Sequence, residues 1–299
     1  MIANAKTKTS DGKPPEVFLY APPDTSDFDF FAVYCFNKEV DGKENIMKDQ
    51  YFGDIGDYGK YGLLRFLAKK GIKIGVHWYM TKPDENRKDP DKNPPGSNKK
   101  TNNDGKFTDY LDSAKNKKAA EEMKVFDPDL YEVLHEMVIK NKTRDTAAFE
   151  QKNMIPNAVY YREEVPQNIN GARGKWHEKA LAFFRDRDLV FMDPDNGLIS
   201  KQRRHKDKFC FPNEAADFYN AGKNVVYYCS KGRRSNEAWE EYKNVMKKEY
   251  LPDAEIIAIT YHKGTQRSYV FVLHPASKEK FDEALKVFSE NWQDVFTRE

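Results

Sequence analysis

The sequence predicts an α/β protein: a doubly wound, mostly parallel sheet flanked by helices and ending in an antiparallel strand pair. Three observations predict it. From Met47 onward, short apolar runs alternate with stretches of helical period. That alternation implies a sheet whose strands are covered on both faces. The last two runs, Glu255–Tyr261 and Ser268–Leu273, are joined by a short glycine-containing loop that leaves no room for a crossover helix, so they pair antiparallel.

The elements follow in order. Gly59–Lys70 carries Leu63, Leu64, Phe66 and Leu67 at helical spacing, and Gly71 closes it. Ile72–Met80 reads as a strand. Lys82–Gly105, rich in Lys, Asp, Asn, Pro and Gly, reads as a long exposed loop, of the kind that is either functional, as a cover over substrate, or disordered. Asp127–Lys140 is a helix with Asp127 as N-cap and Pro128 at the first helical position. Ala158–Glu164 is a strand, Gly174–Arg185 a helix, and Asp188–Met192 a buried strand. Asn213–Ala221 is a helix stopped by Gly222, Asn224–Cys229 a strand, Asn236–Tyr250 a helix, and Phe281–Phe296 the last helix. Residues 1–46 stand apart. They read either as a loosely ordered N-terminal extension or as an accessory strand pair built from Val17–Tyr20 and Phe31–Phe36, before a Rossmann-like domain over residues 47–299.

Composition excludes several classes. No apolar run approaches the roughly 18–20 residues of a membrane span, and the first residues lack the apolar core of a secretory signal. The three cysteines, Cys35, Cys210 and Cys229, are odd in number and irregular in spacing, which argues against a disulfide framework or a zinc site and for a reducing, cytoplasmic setting. A net charge of +2, from 50 basic and 48 acidic residues, leaves room for a nucleic-acid partner through a local basic face.

Chemistry is expected beyond the carboxyl ends of the parallel strands. Asp193-Pro194-Asp195-Asn196-Gly197 leaves the sheet there with two carboxylates and an amide, more Asx-type side chains than a plain capping turn needs. A second constellation runs from Gly53-Asp54 through Gly56-Asp57 to Gly59-Lys60 and Gly62. Its glycines allow close backbone approach to a ligand, or simply a flexible lead into the helix. It lacks the ending of a Walker A loop. Basic residues follow both neighbouring strands, Arg203 and Arg204 after the acidic turn and Arg233 and Arg234 after Cys229; they suit phosphates or a solvated loop. His262 is a further site candidate at a strand end, and His77 reads as a core or edge residue. No HExxH or GxSxG pattern is present, and no residue is assigned to a metal.

On these residues the chain resembles class I methyltransferases, whose parallel sheet ends in an antiparallel pair, and more narrowly the D-P-P-Y adenine-N6 enzymes that act on ribosomal RNA or DNA. Gly53 to Leu64 is similar to their G-N-x-x-D-x-x-K-H and G-G-K-x-x-L-L segments, which implies that Gly53, Asp54, Asp57 and Lys60 help hold S-adenosylmethionine. Asp193-Pro194-Asp195-Asn196 falls where the family carries D-P-P-Y, which implies that these four residues hold the target amine and base. Tyr227-Tyr228-Cys229-Ser230 falls at a strand end where the ribosomal RNA enzyme has a W-Y-P-like sequence. Two departures stand out: His77-Trp78-Tyr79-Met80 replaces a cofactor GxG loop, and Asp195 and Asn196 replace the second proline and the aromatic ring. The chain is also similar to a set of uncharacterised bacterial proteins. The expected function is methyl transfer to a base amine of nucleic acid. Two alternatives remain. One is a Mg²⁺-dependent nuclease or phosphodiesterase using Asp193 and Asp195 with Asp54 or Asp57. The other is a non-catalytic binding protein on the same scaffold.

Overall fold

The computed structural model of the protein describes Asp49 and residues 51–81, 107–166, 171–199 and 206–299. The extension expected over residues 1–46, the loop Lys82–Gly105, and Arg203 and Arg204 lie outside the described residues.

The strands are β1 (Ile74–His77), β2 (Val159–Tyr161), β3 (Leu189–Met192), β4 (Asn224–Cys229), β5 (Glu255–Tyr261), β6 (Arg267–Leu273) and β7 (Phe296–Arg298). The helices are α1 (Ile55–Lys69), α2 (Lys117–Lys124), α3 (Pro128–His135), α4 (Thr146–Gln151), α5 (Ala172–Phe183), α6 (Pro212–Asn220), α7 (Asn236–Lys243) and α8 (Lys278–Asn291). One seven-stranded sheet runs in the order β2-β1-β3-β4-β6-β5-β7. The pairs among β2, β1, β3 and β4 are parallel; those from β4 through β6 and β5 to β7 are antiparallel. The expected α/β architecture is therefore present. The closing hairpin folds back, so that β6 lies between β4 and β5.

Strand alternation divides the core between the two faces. Leu189 and Phe191 of β3, with Tyr269, Phe271 and Leu273 of β6, pack toward α1, α3 and α8. Val190, Met192, Val270 and Val272 pack toward α5, α6 and α7. Asp127 caps α3 by accepting from Leu130 N at 3.2 Å, with Pro128 in the first turn. Both expected long helices, after Asp127 and after Asn236, end instead in a wider π turn, over Glu136–Lys140 and Met246–Tyr250. The chain after α8 does not remain helical to Phe296; it turns and adds β7 to the edge of β5. The short helices α2 and α4 were not expected.

The largest difference from the sequence reading lies in α1. This helix begins at Ile55, not Gly59, with Asp54 as N-cap accepting from Asp57 N at 2.8 Å. Gly56, Gly59 and Gly62 are thus helical residues, three apart and on one face. A Cβ at Gly59 would meet the Tyr261 ring at 2.8 Å, and one at Gly62 would meet the Trp292 ring at 2.4 Å. These glycines admit protein side chains rather than a ligand. Gly62→Ala is expected to destabilise by about 1–3 kcal/mol through overpacking, against a propensity gain of at most about 1 kcal/mol. A urea midpoint equal to or above wild type would overturn that packing account.

His77 is fully buried among rings, with centroids 4.4 Å from Tyr79 and 4.6 Å from Trp176, and neither ring nitrogen has a partner. Burial holds its pKa well below the ordinary 6.5, with smaller contributions from His177 and Arg173. The unfolded chain therefore takes up a proton that the folded chain refuses. Below pH 6.5 this residue is expected to remove up to about 1.4 kcal/mol of stability per pH unit. His77→Phe should flatten that slope in urea melts from about pH 7 to about pH 5.

Candidate functional site

The parallel strands end on one edge of the sheet, and a cleft of about 230 Å³ opens there. Its lining comes from consecutive strand ends: Trp78 after β1, Asp193, Pro194 and Asp195 after β3, Tyr228 of β4, and Arg267 and Tyr269 of β6. Helix α1 supplies Asp57, Lys60 and Tyr61.

Charge inside the cleft is organised around Lys60, which is 6% exposed. Its Nζ lies 2.8 Å from Asp57 Oδ1 and 3.2 Å from Asp193 Oδ2. The same ammonium faces the rings of Trp78 and Tyr61, 4.9 and 5.1 Å from their centroids. Arg267 donates to Asp54 at 2.9 Å and lies 3.8 Å from Asp57. Its guanidinium lies against Gly56, where a Cβ would come within about 2 Å of it. Burial pushes the Asp57 carboxyl above its ordinary value, and Lys60 works against that rise. The Tyr228 hydroxyl is pushed up to about 12, again mainly by burial.

The lining is braced from outside. Trp78 Nε1 donates to Glu150 Oε1 at 2.6 Å, and Arg162 holds the same carboxylate. Thr81 Oγ1 donates to Asp195 Oδ2 at 3.3 Å. Behind β1 the backbone turns at Tyr79 with φ +49°, a left-handed conformation uncommon for an aromatic residue. Its hydroxyl donates to Glu214 at 2.9 Å, and Glu214 is also held by Arg173 at 2.6 Å. The chain makes this turn without the glycine that a GxG loop would provide.

No protein-family model matches this chain, and no curated protein matches it. What the site can do therefore rests on its own geometry.

Of the residues expected at the site, Asp57, Lys60, Asp193, Pro194 and Asp195 line the cleft together. Asp54 and Gly53 do not. Asp54 is spent on the helix cap and Arg267, while Gly53 turns the chain at φ +74° and accepts from the Tyr110 hydroxyl. Asn196 is exposed, is not among the lining residues, and its N–H donates to Lys208 O. Arg233 is exposed beyond β4, but Arg234 turns inward, donating to the carbonyls of Ser230 and Lys231 and lying 4.2 Å from the Tyr242 ring centroid. His262 is exposed and bonds Thr297 of β7, away from the cleft lining. Sequence reasoning missed Arg267 and Tyr269; the available signal was an arginine opening an otherwise apolar strand.

Among the described residues no three His, Cys, Asp or Glu side chains stand together to hold a metal ion. Asp57 and Asp193 meet an ammonium, and Asp54 meets a guanidinium. Three of the four carboxylates expected for Mg²⁺ are thus paired with protein cations, while Asp195 accepts from Thr81. No described helix is long and apolar enough to cross a membrane. Burial holds the thiols of Cys210 and Cys229 above their ordinary range, which makes both poor nucleophiles.

Lys60→Met would leave two buried carboxylates without their ammonium and is expected to cost about 3–5 kcal/mol near neutral pH. Adding Asp57→Asn should recover part of that loss. Urea melts that show Lys60→Met at wild-type stability would overturn the assignment of Lys60 as the hub.

Proposed function

We propose that the protein is an S-adenosylmethionine-dependent methyltransferase acting on an amine of a nucleic-acid base. The observation that carries this reading is the convergence of Lys60 and Asp193 in one cleft at the carboxyl edge of the sheet, 3.2 Å apart. The doubly wound sheet closed by an antiparallel pair also suits the class I methyltransferase architecture.

The lining suits the cofactor in two respects. Among the described residues it carries three carboxylates, Asp57, Asp193 and Asp195, against two cations, Lys60 and Arg267, which favours a ligand with a positive centre. Its rings, Trp78 and Tyr61, already face one cation, that of Lys60. Asp57, Lys60, Tyr61 and Trp78 are the residues that would hold S-adenosylmethionine. When bound, that molecule supplies an electrophilic methyl group on a sulfonium.

The protein's own contribution centres on Asp193. With the Pro194 carbonyl it would offer two acceptors at the end of β3, to bind the two N–H groups of an exocyclic amine and leave the nitrogen lone pair directed into the cleft. Alkylation leaves that nitrogen with a proton to shed, and Asp193 stands ready to take it. Lys60 anchors Asp193 from 3.2 Å for both tasks. The ring missing from the acidic turn has a counterpart in Tyr228, which lines the same cleft from β4. Arg233, exposed beyond β4, would remain outside with the phosphates.

Titration calorimetry with S-adenosylmethionine tests the reading. Wild type should bind at micromolar to millimolar concentration, and an absence of heat would refute the proposal. Asp193→Asn should still bind the cofactor, yet incorporate tritiated methyl groups into bulk RNA or DNA roughly a hundredfold or more slowly.

A further inference from the structure

β7 and Glu299 seat on the edge of β5, away from the cleft. Val295 O accepts from His262 N at 2.8 Å, Glu299 N donates to Ala258 O at 2.8 Å, and the three residues of β7 pair with β5 between them. Phe296 is 3% exposed and packs on Tyr261 and Phe288, with ring centroids 4.8 and 4.9 Å away. The Glu299 carboxylate is held by three donors from distant parts of the chain: Trp239 Nε1 at 2.7 Å, Lys243 Nζ at 2.8 Å and Thr260 Oγ1 at 2.5 Å. Thr260 has one hydroxyl hydrogen and gives it to Glu299, so Ser268 donates to Thr260 at 2.8 Å and completes the clamp. Burial pushes the Glu299 carboxyl up, yet Lys243, Thr260 and Trp239 together hold it below its ordinary range.

No glycine or proline ends α8. Phe281, Leu285, Phe288, Trp292 and Phe296 keep helical spacing past Asn291, and neither breaker lies between Asn291 and Phe296. The chain nevertheless reverses after α8, and Asp294 takes φ +71°, a region uncommon for a residue with a Cβ. The capture of Phe296 and Glu299 therefore imposes the reversal more than the residues of the turn do. With this hinge straightened, the same segment leaves its own body and fits the identical seat on another. We propose that the β5 edge and the Trp239–Lys243–Thr260 clamp form a docking surface for Phe296–Glu299 of a second copy of this chain, and that two copies exchange these strands reciprocally. The exchanged form repeats the contacts of the closed one. The two differ in hinge conformation and in effective concentration, which favours the closed monomer in dilute solution.

Light scattering on the full chain after gel filtration tests the exchange. Asp294→Pro cannot take a positive φ and so opens the hinge, whereas Asp294→Gly eases the closed turn. Wild type and Asp294→Gly should be monomers at micromolar concentration, and Asp294→Pro should dimerise roughly tenfold or more tightly than wild type. Within Asp294→Pro, Lys243→Met and Glu299→Ala should each weaken the dimer roughly tenfold. An equimolar mixture of those two double variants should recover dimer, because only the mixed pair brings an intact Glu299 to an intact clamp. Should Asp294→Pro fail to fold by circular dichroism, deletion of Gln293 and Asp294 replaces it, since the shortened hinge leaves too little chain to reverse. A folded monomer from the opened hinge, a dimer indifferent to Glu299→Ala, a mixture no more dimeric than its components, or failure of both hinges to fold would each overturn the inference.

Discussion

An ammonium taken out of water needs carboxylates beside it, and Lys60 has two, from different parts of the chain. Asp57 lies one turn before it on α1, and Asp193 lies at the end of β3. Asp57 also stands near Arg267, which reaches across from β6 to Asp54. The result is a buried chain of alternating charge, Asp54–Arg267–Asp57–Lys60–Asp193, that ties one helix to two strands separated by β4 in the sheet. If a cation is lost, the buried carboxylates it faces lose their nearest positive charge. The cleft and its shape depend on this chain because four of its members, Arg267, Asp57, Lys60 and Asp193, line it.

Such close charge pairing requires that α1 lie very near the hairpin, and its glycines make that possible. Gly56 leaves room for the Arg267 guanidinium, Gly59 for the Tyr261 ring and Gly62 for Trp292. Each glycine costs helix propensity of roughly 1 kcal/mol relative to alanine. The packing of α8 and the β5–β6 hairpin against α1 offsets it, and Tyr58 adds a hydrogen bond at 2.7 Å to Met123 O at the end of α2. The ion chain and the glycine face are thus two aspects of one interface, charged at its N-terminal end and aromatic toward its middle.

This is also where the sequence was least readable. The alternation of apolar runs, the Asp127 cap and the acidic turn at Asp193 each depend on near neighbours in the chain, and a local pattern reveals them. Gly56, Gly59 and Gly62 carry a local signal as well, a spacing of three. Its meaning depends on Arg267, Tyr261 and Trp292, which lie some 200 residues away. A run of glycines before a helix therefore looked like a ligand-binding turn. Arg267 and Tyr269 were hidden for the same reason. An apolar strand beginning with arginine is unremarkable until its register against β4 places it at the edge where the cleft opens. Asn196 failed differently: sequence proximity to Asp193 suggested a shared role, but the turn after Asp195 carries it outward to bond Lys208.

The distribution of charge also limits how a nucleic acid could approach. The cleft floor carries more carboxylate than cation among its described residues, so a phosphate brought inside meets Asp193 and Asp195 as well as Lys60. Arg234 adds nothing there because its guanidinium closes the end of β4. Under the proposed function the backbone of the nucleic acid would stay on the rim near Arg233, and only an extruded base would enter. A base is neutral, flat and edged with hydrogen-bonding atoms. Tyr228 and Arg267 on one side and Asp193 on the other would meet those properties under the proposed reading, so the charge chain that organises the fold would also limit what the cleft accepts.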